Sequence, residues 1–187
     1  PNITLTGGNN QTVSGNSNVS RLNILKINKS GGNVTLSGEI DIAHSFLLQS
    51  ATTVDTTTSK IGMYSPYYLS THGEGAISVS GVEFYDFELY GGYNVKLHIQ
   101  SDIIVNNHLN MPYRGVNSLA NWWPSANDLI ARGDVSISIN SGSYPYIPKV
   151  IFEGANDQVL TTSGVQPKAS FEVNKTGGIV IVNTTFG

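Results

Sequence analysis

The feature that most constrains this chain is that it repeats itself. The stretch Ile24 to Ile42 returns as Phe171 to Phe186, with Lys29 aligned to Lys175, Gly31-Gly32 to Gly177-Gly178 and Val34 to Val180. The match extends upstream. Residues 1–15 correspond to 148–162, with Gly7 opposite Gly154 and Gln11 opposite Gln158. The offset is 147 residues at Pro1 and Pro148 and 146 at Lys29 and Lys175, so a single one-residue gap reconciles the two copies. Self-similarity at a fixed period marks a repeat architecture, in which each unit buries its apolar face by stacking on its neighbour. The chain reads as one unit, 1–147, followed by the opening of a second, 148–187, cut from a longer array.

A weaker third copy lies between. Residues 80–109 hold an alternating strand, the pair Gly91-Gly92, and Asn94-Val95-Lys96-Leu97, which matches Asn33-Val34-Thr35-Leu36. The long unit is therefore expected to hold smaller coils of about 20 residues, near the lower end of known repeat lengths. Within them, residues 2–6, 21–28, 34–36, 40–42, 46–48, 82–90 and 129–139 alternate apolar with polar, the period of a half-buried strand. Leu22, Ile24 or Leu25, and Ile27 are the inward candidates of the second stretch. Glycine and asparagine mark the corners, where positive φ is tolerated. Two segments break the grammar, near 60–76 and 110–128. No helix is convincing, because the best window, 118–131, contains Pro124. The expected fold is all-β, a single parallel β-helix (β-solenoid) over 1–187, with a β-sandwich as runner-up.

Composition narrows the function. Charged residues make up 12% and the net charge is -3, which leaves no basic footprint for nucleic acid or anionic lipid. There are no cysteines, so disulfides and thiolate metal sites are excluded. No apolar run approaches the length of a membrane helix. Low charge with abundant Gly, Asn, Ser and Thr fits an extracellular β-rich protein.

The motifs resemble the repeats of very large secreted or cell-surface proteins of bacteria and archaea, the adhesin-like β-helix proteins. Those repeats read as strand-G-x-x-x-Q, then L-x-I-N-K-x-G-G-x-V-x-L, then D-L-x-V. The carriers here are Gly7 to Gln11 with Ile27 to Leu36, their copies Gly154 to Gln158 with Val173 to Val180, and Gly133-Asp134-Val135-Ser136-Ile137 before the repeat boundary. The resemblance covers about half the chain and omits the two irregular segments. It implies a right-handed parallel β-helix at the cell surface and transfers no catalytic residue.

Candidate sites lie mainly where the repeat grammar breaks. Tyr113, Asn121, Trp122 and Trp123 form an aromatic and amide cluster in the second irregular segment. Either they pack that segment onto the coil, or the rings stack on sugars while Asn121 bonds hydroxyls. Tyr64, Tyr67 and Tyr68 form a weaker cluster. Glu83, Asp86, Glu88 and Asp102 are the carboxylates for glycoside chemistry, which needs two carboxyls at a set separation across the bond. Asp86 and Glu88 share a strand face, with Glu83 opposite unless a bulge intervenes. They are expected to keep strand faces soluble. His44, His72, His98 and His108 lack metal-ligand spacing, and no calcium loop is present. Arg132-Gly133-Asp134 spells an adhesion tripeptide but reads as a turn into a strand.

The expectation is a structural and adhesive repeat domain of an extracellular surface protein. It is not expected to be an enzyme or to hold a cofactor or metal. Its partners would be neighbouring repeats or like subunits, and surface glycans, with no nucleic acid and no membrane insertion. The alternatives are a self-assembling subunit of an extracellular filament or sheath, and a carbohydrate-binding or carbohydrate-active β-helix domain.

Overall fold

The computed structural model describes residues 1–16, 21–64, 74–90, 96–113, 127–139, 147–164 and 169–186. They form strands and no helix. In chain order the strands are β1 (Asn2–Leu5), β2 (Gln11–Gly15), β3 (Arg21–Ile27), β4 (Val34–Leu48), β5 (Val54–Tyr64), β6 (Glu74–Ser78), β7 (Glu83–Tyr90) and β8 (Lys96–Ile99). They continue as β9 (Ile103–Tyr113), β10 (Leu129–Ala131), β11 (Asp134–Ile139), β12 (Val150–Gly154), β13 (Gln158–Gly164), β14 (Phe171–Lys175) and β15 (Val180–Phe186). All pairings are parallel, and the chain winds as a β-solenoid of about 6 turns.

The coil has three sides. The first ladder stacks β1, the end of β3, the end of β4, β6 and β8. The second stacks β2 and the starts of β4 and β5, then the starts of β7 and β9 with β10, β12 and β14. Thr56, whose hydroxyl donates to the Glu83 carbonyl at 2.5 Å, joins its two halves. The third begins at Arg21 and Leu22 and runs through the middle of β4, the ends of β5, β7 and β9, then β11, β13 and β15. The shorter coils run 20 to 23 residues: Val34 pairs with Val54, Leu25 with Phe46, Ile3 with Leu25, and Gln11 with Val34.

Alternation is what fills the interior. One column runs Ile3, Leu25, Phe46, Ile77, Ile99, and another Ile40, Ile61, Phe87, Leu109, Val135, Leu160, Val182. Between their ends these side chains are buried. Phe46, Phe84 and Phe87 form an aromatic cluster inside the coil, with ring centroids 6.1 Å apart for Phe46 and Phe84 and 4.8 Å for Phe84 and Phe87. Fully burying each such residue stabilises the fold by about 1.5–3 kcal/mol.

Several local expectations are refined. Residues 34–48 form one strand that bends around a corner at Gly38 (φ 70°), not three short strands. Leu25, not Ile24, points inward, because the register shifts between Leu22 and Ile24. Strand β5 runs through residues 60–64 and β9 through 110–113, so the strands enter both spans read as irregular.

The two sequence copies occupy different sides. The first copy's Gly7–Asn10 corner joins the first ladder to the second. The second copy's Gly154–Asp157 corner joins the second to the third. The period is thus whole turns plus one side, and each copy carries its corner geometry with it.

Candidate functional site

The repeated corner is the best-built polar feature. Lys29 Nζ donates to the Asn9 carbonyl at 2.6 Å and to Gln11 Oε1 at 2.8 Å. In the second copy Lys175 Nζ donates to the Asn156 carbonyl at 2.6 Å and to Gln158 Oε1 at 2.6 Å. Each lysine thereby ties its own turn to the one before. Gly32 and Gly178 make the approach possible: both have positive φ, 67° and 66°, and a Cβ on either would press on the preceding corner's backbone. Gln158 adds hydrogen bonds to the carbonyls of Ala131 and Gly133 at 2.9 and 2.8 Å, so that corner reaches one turn further. Lys and Gln recur at almost the same spacing in both copies. That recurrence is the sequence signal of the clamp.

A second cluster lies on the outer face of the third ladder. Lys60 Nζ is 3.0 Å from Glu39 Oε1 and 2.6 Å from Glu88 Oε2. Glu88 is buried and also accepts from Asn110 Nδ2 at 2.8 Å. Burial would lower the Lys60 pKa, but the hydrogen bonds to Glu88 and Glu39 outweigh it and hold the ammonium above the ordinary lysine range. Asp41 lies over Gly62, with Arg21 Nε 4.0 Å away. Burial, assisted by Glu39 and Glu88, pushes its carboxyl above the usual range despite Arg21 and Lys60. Tyr64 and Tyr90 stack at 3.8 Å and 17°, and the Arg21 guanidinium sits 4.4 Å over the Tyr64 ring. Burial, then Glu88 and Tyr64, raises the Tyr90 phenol.

This arrangement bears on the carboxylates proposed for glycoside chemistry. The register shifts between Phe84 and Asp86, and Phe84 and Phe87 both point inward. That bulge brings Glu83 to the outer side with Asp86 and Glu88. Each then meets a neighbouring turn. Glu83 binds Arg132 at 2.9 Å and Asn106 at 3.2 Å, Asp86 accepts from Asn107 at 2.7 Å, and Asp102 accepts the Asp128 amide at 2.9 Å. The acids form charge-assisted rungs between coils. The Arg132-Gly133-Asp134 tripeptide is used similarly: Arg132 pairs with Glu83 and lies 3.8 Å from Glu153, and Asp134 accepts the Val159 amide at 2.8 Å.

Of the aromatic cluster, Tyr113 is the last residue of β9, while Asn121, Trp122 and Trp123 lie outside the described residues. Tyr67, Tyr68 and His72 lie outside them too. His44 bonds Ser45 at 2.7 Å and His108 bonds Ser136 at 2.9 Å. Among the described residues no group of His, Cys, Asp and Glu could hold a metal ion. No helix among the described residues is long and apolar enough to cross a membrane. Compared with known protein families, with curated proteins and with solved structures, the chain matches none.

Proposed function

We propose that the chain is a structural and adhesive repeat domain of an extracellular surface protein. The observation that supports this reading is the duplicated clamp, Lys29 on Asn9 and Gln11 and Lys175 on Asn156 and Gln158. One motif builds one corner wherever it falls on the coil, and its chemistry ties turn to turn. Outward polar groups form further rungs between turns. Strands β5, β7 and β9 end on the third ladder at Tyr64, Tyr90 and Tyr113, where residues 65–73, 91–95 and 114–126 follow. Those segments are where adhesive contacts belong on this reading, with surface glycans as partners of Trp122 and Trp123 and neighbouring coils as partners of the solenoid.

The test combines sedimentation, electron microscopy and saccharide assays on the purified chain. Discrete particles of one-chain mass, without saccharide turnover, are expected. Long regular fibres would transfer the chain to the filament class. Bond cleavage in a polysaccharide, abolished by Glu88→Gln, would make it an enzyme. Saturable glycan binding lost in both Trp122→Ala and Trp123→Ala would place the adhesive contact.

A further inference from the structure

The two motif copies are made alike and covered differently. In the first, Leu25, Ile27, Val34 and Leu36 have no exposure. Their equivalents Phe171, Val173 and Val182 are 41%, 63% and 58% exposed, and Val180 is half-buried. The side facing the preceding turn is the same in both: Gln11 N–H donates to the Asn33 carbonyl at 3.0 Å, and Gln158 N–H to the Ile179 carbonyl at 2.9 Å.

The difference lies on the other side, where residues 45–59 roof the first copy. Phe46 pairs with Leu25, Leu48 with Ile27, and Val54 with Val34. Three polar contacts fix that roof. Gln49 N–H donates to the Ile27 carbonyl at 2.8 Å, Val34 N–H to the Thr53 carbonyl at 3.0 Å, and Lys29 N–H to Ser50 Oγ at 3.0 Å. The corresponding groups of the second copy are the Val173 carbonyl and the amides of Val180 and Lys175.

We infer that the outer face of the last turn is a docking edge for a polypeptide coil with the chemistry of residues 42–64 of this chain. That coil runs parallel and places inward apolar side chains at the spacing of Phe46, Leu48 and Val54. It puts a hydroxyl at the place of Ser50 to receive the Lys175 amide. The second copy keeps its clamp although it sits one side further round the solenoid, so the motif carries its local geometry with it and the roof of the first copy is the template for the second. Open strand edges pair readily with added strands, and apolar pockets then select the sequence. The first turn of a second copy is a poorer occupant, because Gly7 stands in it at the place of Ser50. The inference rests on the structural reading above and names its partner.

The experiment lengthens residues 1–187 with a copy of Ile42 to Tyr64, which keeps the 146-residue register, and compares it with the same residues scrambled. Hydrogen exchange is read at Lys175 and Val180. The natural order is expected to slow both amides at least tenfold relative to the scrambled extension, as amides in a packed turn exchange far more slowly than those on an open edge. Alanine at the added equivalent of Ser50 is expected to release Lys175 first. Equal exchange in both extensions overturns the inference. So does protection in the unextended chain that grows with concentration alongside a dimer in sedimentation, which would make a second copy the occupant. Should an extension unfold the chain, residues 42–64 added as a free peptide are read on the same two amides, with the same expected and overturning results. Saccharide turnover would sink the structural reading without altering these rates, so the two failures are told apart.

Discussion

Lys29 reaches back across a corner to Gln11, its ammonium 2.8 Å from the side-chain carbonyl, while its own side chain is almost wholly buried. A buried cation is tolerated only with hydrogen-bond partners, and here Asn9 supplies the other. Lys29→Met removes the charge but leaves two acceptors unmet. The expected loss is about 2 kcal/mol, the range for hydrogen bonds to charged groups. Lys175→Met, at the less buried copy, is expected to lose less than about 1 kcal/mol. Urea denaturation of the two variants measures the difference. An unchanged midpoint in Lys29→Met would show that the clamp does not hold the turns.

Glycine at 133 is a packing requirement. A Cβ there would fall inside contact distance of the Asn107 carbonyl, which belongs to backbone and cannot swing away. Overpacking of this kind typically costs about 1–3 kcal/mol, and Gly133→Ala should reach the upper part of that range. Gly8→Ala, where the nearest group is the Ser30 hydroxyl at 3.9 Å, is the matched control and should be nearly neutral. Thermal melts of the pair decide the matter, and equal midpoints would contradict the close stacking of corners.

The solenoid was legible because its physics is periodic. Apolar residues alternate, glycine and asparagine fall at corners, and the whole grammar returns at residue 148. Register was not legible. A coil is 21 residues from Leu25 to Phe46 but 31 from Phe46 to Ile77, so nothing in the sequence placed Lys60 between Glu39 and Glu88. Strict alternation places Glu83 opposite Asp86 and Glu88, and only the bulge at Phe84–Asp86 brings it round. Thus the clamp residues were in hand as aligned letters, while the charged rungs appear only once the turns are stacked. Trp122 and Trp123 fall outside the repeat grammar and outside the described residues.

Two carboxylates should tilt the pH dependence in opposite directions. Burial raises Asp41 in the folded chain above its ordinary value of 3.8. Just above that value the folded state binds more protons than the unfolded one, so this group makes stability rise as pH falls. Glu83 is the reverse: hydrogen bonds from Arg132 and Asn106 hold it below its ordinary value of 4.5, so it loses stability as pH falls through its folded pKa. Its exposure keeps that effect small. The difference in midpoint between the parent chain and Asp41→Asn, followed from pH 7 downward, isolates the first group. Asp41→Asn is expected to be the more stable at neutral pH, with its advantage shrinking as pH approaches 3.8. A constant difference would mean Asp41 titrates normally.

Val34 and Val180 are the same letter in the two copies, and the sequence alone predicts the same outcome for both: a charge there unfolds the chain. The structure separates them. Val34 has no exposure beneath Val54, whereas Val180 lies half-buried on the last turn. Val34→Asp places a carboxylate in the buried interior between two turns, where an unpaired charge costs several kcal/mol or forces protonation. That should leave no cooperative transition at neutral pH. Val180→Asp has water beside it and should lower the midpoint only modestly, by about 1 kcal/mol, the typical effect of a point substitution. Circular dichroism melts give the comparison directly. If Val180→Asp unfolds the chain as completely as Val34→Asp, its side chain is covered in solution, and the edge of the last turn is already occupied.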